Sequence, residues 1–114
     1  MLDVEIRFTI AFKRRLKALA KRFRSIQKDI QPILLEIQSG NFIGSQIKGT
    51  DFIVFKVRAK NSDIPVGKSG GYRLIYQLLS PQSVLLLLIY AKSDQADVDA
   101  DEIYKAVQET LDDQ

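Results

Sequence analysis

Three cations recur at every second position of the segment FKVRAK, residues 55–60: Lys56, Arg58 and Lys60. In a β-strand alternate side chains share one face, so this spacing predicts a row of positive charge. Such a row can hold a phosphodiester backbone and neutralise the charge that develops when a phosphate is attacked. The same pattern also fits the solvated face of an amphipathic strand whose apolar side chains, Phe55 and Val57, face the core.

A glycine-rich basic turn, VGKSGGYRLIY at residues 66–76, follows this strand. Its letters GKS resemble the end of a phosphate-binding loop, which requires G-x-x-x-x-G-K-[ST] between a strand and a helix. Ser62 stands where the first glycine is required, Pro65 lies inside the loop, and the sequence after it is typical of a strand. A nucleotide-binding loop is therefore excluded. Arg73, on the strand that follows, adds a further cation beside the basic strand.

Composition narrows the chemistry further. The 114 residues include no cysteine and no histidine, which removes thiolate chemistry, the usual neutral-pH base and the commonest metal ligands. Residues 1–93 hold 16 Lys and Arg against 6 Asp and Glu, whereas residues 94–114 hold 1 against 8, giving +10 and −7. A basic body favours a polyanion partner, and the acidic end is interpreted as a helix cap and a solvated tail.

The longest apolar run, residues 84–91, is far below the roughly 20 residues of a membrane helix, and the N-terminus is not a signal peptide. We expect a cytoplasmic protein without membrane contacts.

Hydrophobic periodicity predicts the order β-α-α-β-β-β-α in one α+β domain over 1–114. A strand over 3–9 precedes an apolar helical stripe, and Pro32 predicts a helix break within 25–31 before a second helix that ends at Gly40. After a polar loop come strands over 51–60, 71–79 and 83–92, the last apolar on both faces and therefore central. A capping box at Asp99 opens an acidic helix. The expected architecture is a helix hairpin packed on a small, mainly antiparallel sheet. The stripe residues are Phe12, Leu16, Leu19, Phe23, Ile26 and Ile30.

Three segments, FKVRAK (55–60), GKSGGYRLIY (67–76) and LLLLIYAKSDQ (85–95), resemble the RelE/ParE toxin superfamily. The likeness is strongest to RelE/HigB-type mRNA interferases and covers nearly the whole chain, with an arginine after a Gly-aromatic pair as the most specific feature. The resemblance implies a RelE-like fold and the toxin of a type II toxin–antitoxin system. It further implies a ribosome-dependent endoribonuclease that cleaves translated mRNA in the A site and inhibits translation. Its reaction would be a metal-independent transesterification by the ribose 2′-OH, without a cofactor.

The resemblance also implies roles for particular residues. Lys56, Arg58, Arg73 and Lys92 would be catalytic, and Tyr90, two residues before Lys92, would stand in for an expected tyrosine. We expect RNA contacts from Lys60, Lys68 and Tyr72. The chain departs from the family at two positions. Ser93 stands where some members have a second arginine, and the expected tyrosine is absent, with Asp99 nearest to its position. The residues that act as general base and general acid are therefore not assigned. The predicted site residues are Lys56, Arg58, Lys60, Lys68, Tyr72, Arg73, Tyr90 and Lys92.

The partners implied are a cognate antitoxin protein and mRNA on the ribosome, with contacts to ribosomal RNA. Operator DNA would be bound only through the antitoxin. Two alternatives remain: a ParE-like toxin that inhibits DNA gyrase, against which the basic strand argues, and a non-catalytic RelE-fold binding module. Tyr72 and Tyr76 share a strand face, where core packing is the alternative to stacking on RNA.

Overall fold

The computed structural model describes residues 3–64 and 70–112. Within them the chain forms three helices and one five-stranded sheet of strand order β1-β5-β4-β3-β2. β1 pairs with β5 in parallel, and the other three strand pairs are antiparallel. The predicted α+β class is confirmed. The sheet has one strand more than predicted, since the segment interpreted as a polar loop contains β2. The elements are β1 (Glu5–Phe8), α1 (Ile10–Arg22), α2 (Ile26–Gln38), β2 (Ser45–Ile47), β3 (Val54–Ala59), β4 (Tyr72–Ser80), β5 (Ser83–Ala91) and α3 (Ala100–Asp112).

Both faces of the sheet are covered. The apolar stripes of α1 and α2 pack on one face against side chains such as Leu74 and Leu86. On the other face Ile103 and Ala106 of α3 pack near Ile75. β5 lies between β1 and β4 and is buried on both faces, as its continuous apolar sequence predicts. We call the two sides the helix-pair face and the α3 face.

The two helices of the pair are separated earlier than Pro32 predicts. α1 ends at Arg22 and α2 begins at Ile26, so the break lies at residues 23–25 and Pro32 stands inside α2. Phe23 has an extended backbone, and its ring packs edge-on against Tyr72, with centroids 5.9 Å apart. The anchoring of Phe23 on the sheet therefore places the break. Pro32 lacks one helical N–H and is tolerated on the exposed side of α2.

Three other features are as their local signals predict. Gly40 follows α2 with a φ of +90°, the left-handed conformation that glycine adopts most readily after a helix. Strands β4 and β5 form the expected hairpin around Pro81 and Gln82. Asp99 Oδ1 accepts a hydrogen bond from the Glu102 backbone N–H at 2.9 Å and so caps α3. None of the helices in the described ranges is long and apolar enough to cross a membrane.

Candidate functional site

A row of polar side chains crosses the α3 face from strand to strand. Arg58 of β3 lies directly opposite Arg73 of β4, and Arg73 lies directly opposite Tyr90 of β5. Directly opposed residues of antiparallel strands point to the same face, with Cβ atoms about 4.5–5.5 Å apart. Lys56 lies two residues before Arg58, on the same face, and is opposed by Ile75. The structure thus brings four of the five predicted catalytic residues onto one wall of the molecule.

Arg58 and Arg73 place two positive charges side by side at different depths. Arg58 is exposed, whereas Arg73 is only 5% exposed and donates a hydrogen bond from Nη1 to the Tyr72 carbonyl at 3.2 Å. Burial lowers the pKa of Arg73, the charge of Arg58 lowers it further, and Tyr90 acts in the opposite direction. An arginine side chain stays protonated throughout the physiological range, so the pair repels. An anion bound between the two guanidinium groups would relieve that repulsion.

Tyr90 ends the row with a buried phenol. Its side chain is 3% exposed, and its hydroxyl has no hydrogen-bond partner among the described residues. Burial raises the pKa of Tyr90, Asp97 and Glu102 raise it further, and Arg73 opposes them. The phenol is therefore neutral at physiological pH and is suited to donate a proton rather than to accept one.

Lys92 joins the wall through the segment that follows β5. Its backbone N–H donates to the Gly71 carbonyl at 2.9 Å, and its Nζ donates to the Ala96 carbonyl at 2.7 Å. Lys56 Nζ binds Asp97 Oδ1 at 3.0 Å. The hydrogen bond from Lys56 holds the pKa of Asp97 below its ordinary value, with help from the Val98 amide and the charge of Lys92. Asp97 therefore carries a full negative charge beside both lysines.

Gly71, directly before β4, stands where only a glycine fits. A Cβ atom at this position would lie 2.1 Å from the Ala59 carbonyl oxygen and 3.0 Å from the Asn61 nitrogen. The absence of a side chain lets the start of β4 lie against the end of β3, which places Arg58 opposite Arg73. Gly71 thus serves the close contact between the two strands. Lys68, a predicted RNA contact on this turn, lies outside the described residues.

The two remaining predicted RNA-binding residues lie in different surroundings. Lys60 follows the end of β3 and lines a cavity of about 320 Å³ together with Arg58 of the wall and with Lys28 and Pro32 of α2. Tyr72 has no exposed surface and packs against Phe23 on the helix-pair face, opposite to the face of Arg73. A fully buried ring cannot stack on a base, so the predicted RNA contact of Tyr72 is corrected to a core role.

The sequence did not reveal the residues that surround the wall. Asp97 contacts Lys56 across 41 residues of sequence, and no local pattern marks that pairing. The acidic end of the chain, interpreted as a cap and a solvated tail, does cap α3 through Asp99, but other acidic residues pair with α1. Arg22 Nη1 lies 2.7 Å from Asp94 Oδ2, and Arg15 Nη2 lies 3.1 Å from Glu102 Oε2. The opposite net charges of the two parts of the chain were the one available signal.

A scan against protein-family models matches none, and no curated protein matches the chain. The chemical character of the wall therefore depends on its own residues: two arginines for anion binding, two lysines, and a buried neutral phenol. Such groups are able to bind a phosphodiester and to transfer protons to and from its oxygens.

Proposed function

We propose that the chain is a toxin of a type II toxin–antitoxin system, a RelE/HigB-type mRNA interferase with a RelE-like fold, acting in the cytoplasm. The observation that carries the proposal is the row Arg58–Arg73–Tyr90 on one sheet face, with Lys56 and Lys92 beside it. The sequence resemblance implies catalytic roles for these residues, and their convergence from three strands supports it. The element order, a helix pair and a third helix on opposite faces of a mostly antiparallel sheet, is compatible with that fold.

The proposed reaction is cleavage of mRNA by its own ribose 2′-OH. The 2′-oxygen attacks the adjacent phosphorus, the P–O5′ bond breaks, and a 2′,3′-cyclic phosphate and a 5′-OH are formed. Arg58 and Arg73 bind the non-bridging oxygens and stabilise the negative charge that grows on them. Tyr90 donates its proton to the leaving 5′-oxygen, because a phenol is protonated at neutral pH and is a stronger acid than the 5′-alcohol that forms.

The base that takes the 2′-OH proton is Lys56 or Lys92 in this proposal. Both lysines lie close to Asp97: Lys56 Nζ binds its carboxylate, and the charge of Lys92 contributes to its lowered pKa. Arginine retains the charge of either lysine but cannot lose a proton in a protein. The Lys56→Arg and Lys92→Arg variants therefore separate the two roles. Replacement of the lysine that acts as base should abolish cleavage, whereas replacement of a lysine that only binds phosphate should leave most of the cleavage activity.

The proposed partners follow from charge. The exposed side of α1 and the start of α2 carry cations suited to ribosomal RNA, and binding should weaken steeply as salt rises. An acidic antitoxin is expected to cover the basic wall, and operator DNA is bound only through that antitoxin. The exposed cations are Lys13, Arg14, Lys17, Lys21, Arg22, Arg24 and Lys28.

Inducible expression combined with mapping of mRNA 5′ ends tests the function. We expect codon-phased cuts in translated messages and arrest of growth. Arg58→Gln should lower the cutting rate about 10²- to 10³-fold, the usual effect of removing one transition-state donor. Arg58 is exposed, so the fold should tolerate the change. Lys48→Gln, another exposed cation outside the row, is the matched control and should cut at the normal rate.

Other outcomes of the same experiment identify the alternatives. Growth arrest with DNA damage and intact messages would replace the proposal with the gyrase-inhibiting toxin. Normal growth, with the protein folded and abundant, would replace it with the non-catalytic binding module.

A further inference from the structure

The segment between β5 and α3, residues 93–98, lies over the basic wall, and we call it the acidic strap. Its carboxylate Asp97 Oδ1 binds Lys56 Nζ at 3.0 Å, and its Ala96 carbonyl accepts from Lys92 Nζ at 2.7 Å. Both lysines of the candidate site are thus engaged by the chain itself. The strap presents an anion and a carbonyl oxygen at the position where a phosphodiester would need to bind.

The strap has its own anchors on the α1 side. Asp94 pairs with Arg22 at 2.7 Å, and Gln95 Oε1 accepts from Arg15 Nη1 at 3.3 Å. Two internal bonds then aim the carboxylate: Gln95 Nε2 donates to the Asp97 carbonyl at 2.8 Å, and the Val98 N–H donates to Asp97 Oδ1 at 2.8 Å. The contacts to the lysines can therefore break while the strap stays attached to α1.

The contact between Asp97 and Lys56 is of a kind that a phosphate can displace. The Asp97 side chain is 65% exposed and that of Lys56 is 32% exposed. Exposed ion pairs change an equilibrium constant by only about two- to fivefold. A second observation points to displacement: the Tyr90 hydroxyl, close enough to Asp97 to respond to its charge, is buried without a hydrogen-bond partner in the described part of the chain. In the present arrangement no substrate oxygen can reach it.

We propose that the acidic strap is a built-in competitor for RNA: a phosphate of single-stranded RNA displaces Asp97 from Lys56 and Ala96 from Lys92, and this movement uncovers the Tyr90 hydroxyl. This inference rests on the proposed function and adds a step that precedes cleavage. The strap closes the site while no RNA is bound, and it thereby lowers the affinity for RNA. Its displacement supplies the access to Tyr90 that the proposed proton transfer needs.

The binding of a 2′-O-methyl RNA oligonucleotide, which has no free 2′-OH and cannot be cleaved, tests the strap by fluorescence anisotropy at several salt concentrations. We expect Asp97→Asn to bind about two- to fivefold more tightly than the wild-type chain. The log–log salt slope should stay the same, because Lys56 contacts a phosphate in both complexes and only the competing carboxylate is removed. Asp101→Asn is the matched control, since it removes the same charge from an exposed position at the start of α3. It should leave the affinity unchanged.

Two further measurements connect the effect to the named contacts. In a Lys56→Gln background the gain from Asp97→Asn should disappear, because the competitor then has no lysine to release. Addition of the oligonucleotide to the wild-type chain should accelerate amide hydrogen exchange in residues 93–98 and leave β5 protected.

The outcomes separate the strap from the proposed function. The proposed competition by the strap is overturned if Asp97→Asn binds RNA no more tightly than Asp101→Asn. It is also overturned if RNA leaves amide hydrogen exchange in residues 93–98 unchanged. Tighter binding and faster exchange in a chain that cuts no message leave the strap standing and overturn the interferase. A failure of every variant to bind the oligonucleotide overturns both.

Discussion

The Gly71→Ala variant tests whether close contact between β3 and β4 builds the basic wall. The added Cβ atom would lie 2.1 Å from the Ala59 carbonyl oxygen, whereas real Cβ contacts essentially never fall below 3.0 Å. The two backbones must therefore separate by about 0.9 Å at the end of the ladder, next to the pair formed by Ala59 and Tyr72. Overpacking of this kind costs about 1–3 kcal/mol, and a lost ladder hydrogen bond adds about 1 kcal/mol. We expect the free energy of unfolding to fall by about 2–4 kcal/mol.

Urea denaturation measures the loss of stability, and anisotropy with the 2′-O-methyl oligonucleotide measures the wall. Gly40→Ala is the control, because its Cβ meets nothing within 4 Å and only the φ of +90° is unfavourable. That variant should lose about 1 kcal/mol and keep its RNA affinity. Gly71→Ala should bind RNA several-fold more weakly under conditions where it is still folded, since separation of the two strands moves Arg58 away from Arg73. A Gly71→Ala variant with the stability and affinity of the wild-type chain would refute the role assigned to this glycine.

Two buried tyrosines give further predictions. Tyr72→Phe removes a hydroxyl that has no hydrogen-bond partner among the described residues, so the free energy of unfolding should stay constant or rise by about 1 kcal/mol, with RNA affinity unchanged; a tenfold loss of affinity would return Tyr72 to the RNA surface. Burial raises the pKa of Tyr76 to about 12, above its value of about 10 in the unfolded chain. Its contribution of about 2–3 kcal/mol is therefore complete below pH 10 and is lost as the pH rises from 10 to 12. Urea titrations across this range should show a shallower decline for Tyr76→Phe, and identical declines would contradict the assignment.

Much of the fold is readable from the sequence because its signals are local. Continuous burial of β5 follows from an unbroken apolar run, the cap of α3 from Asp99, and the end of α2 from Gly40. The alternation in β3 and β4 also predicts that Arg58 and Arg73 share a face once the two strands pair. These features depend on a residue's near neighbours and on the two-residue period of a strand.

The remaining features depend on contacts between distant residues. Three residues of β2 show no period of their own and become a strand only by pairing with β3. The helix break follows the packing of Phe23 on Tyr72, which outweighs the local signal of Pro32. Tyr72 is buried because helices cover its face of the sheet. The position of Asp97 beside Lys56 is likewise set by the path of the chain after β5.

The parallel pairing of β1 with β5 has a consequence for the newly made chain. The Thr9 hydroxyl donates to the Leu87 carbonyl, 78 residues away, and also accepts from the Phe12 N–H at the start of α1. β1 and α1 therefore cannot dock on the sheet until β5 is present. Such distant closure slows folding. A nascent chain therefore cannot present Tyr90 in register with Arg73 until residues 83–91 have been synthesised and have paired with β4.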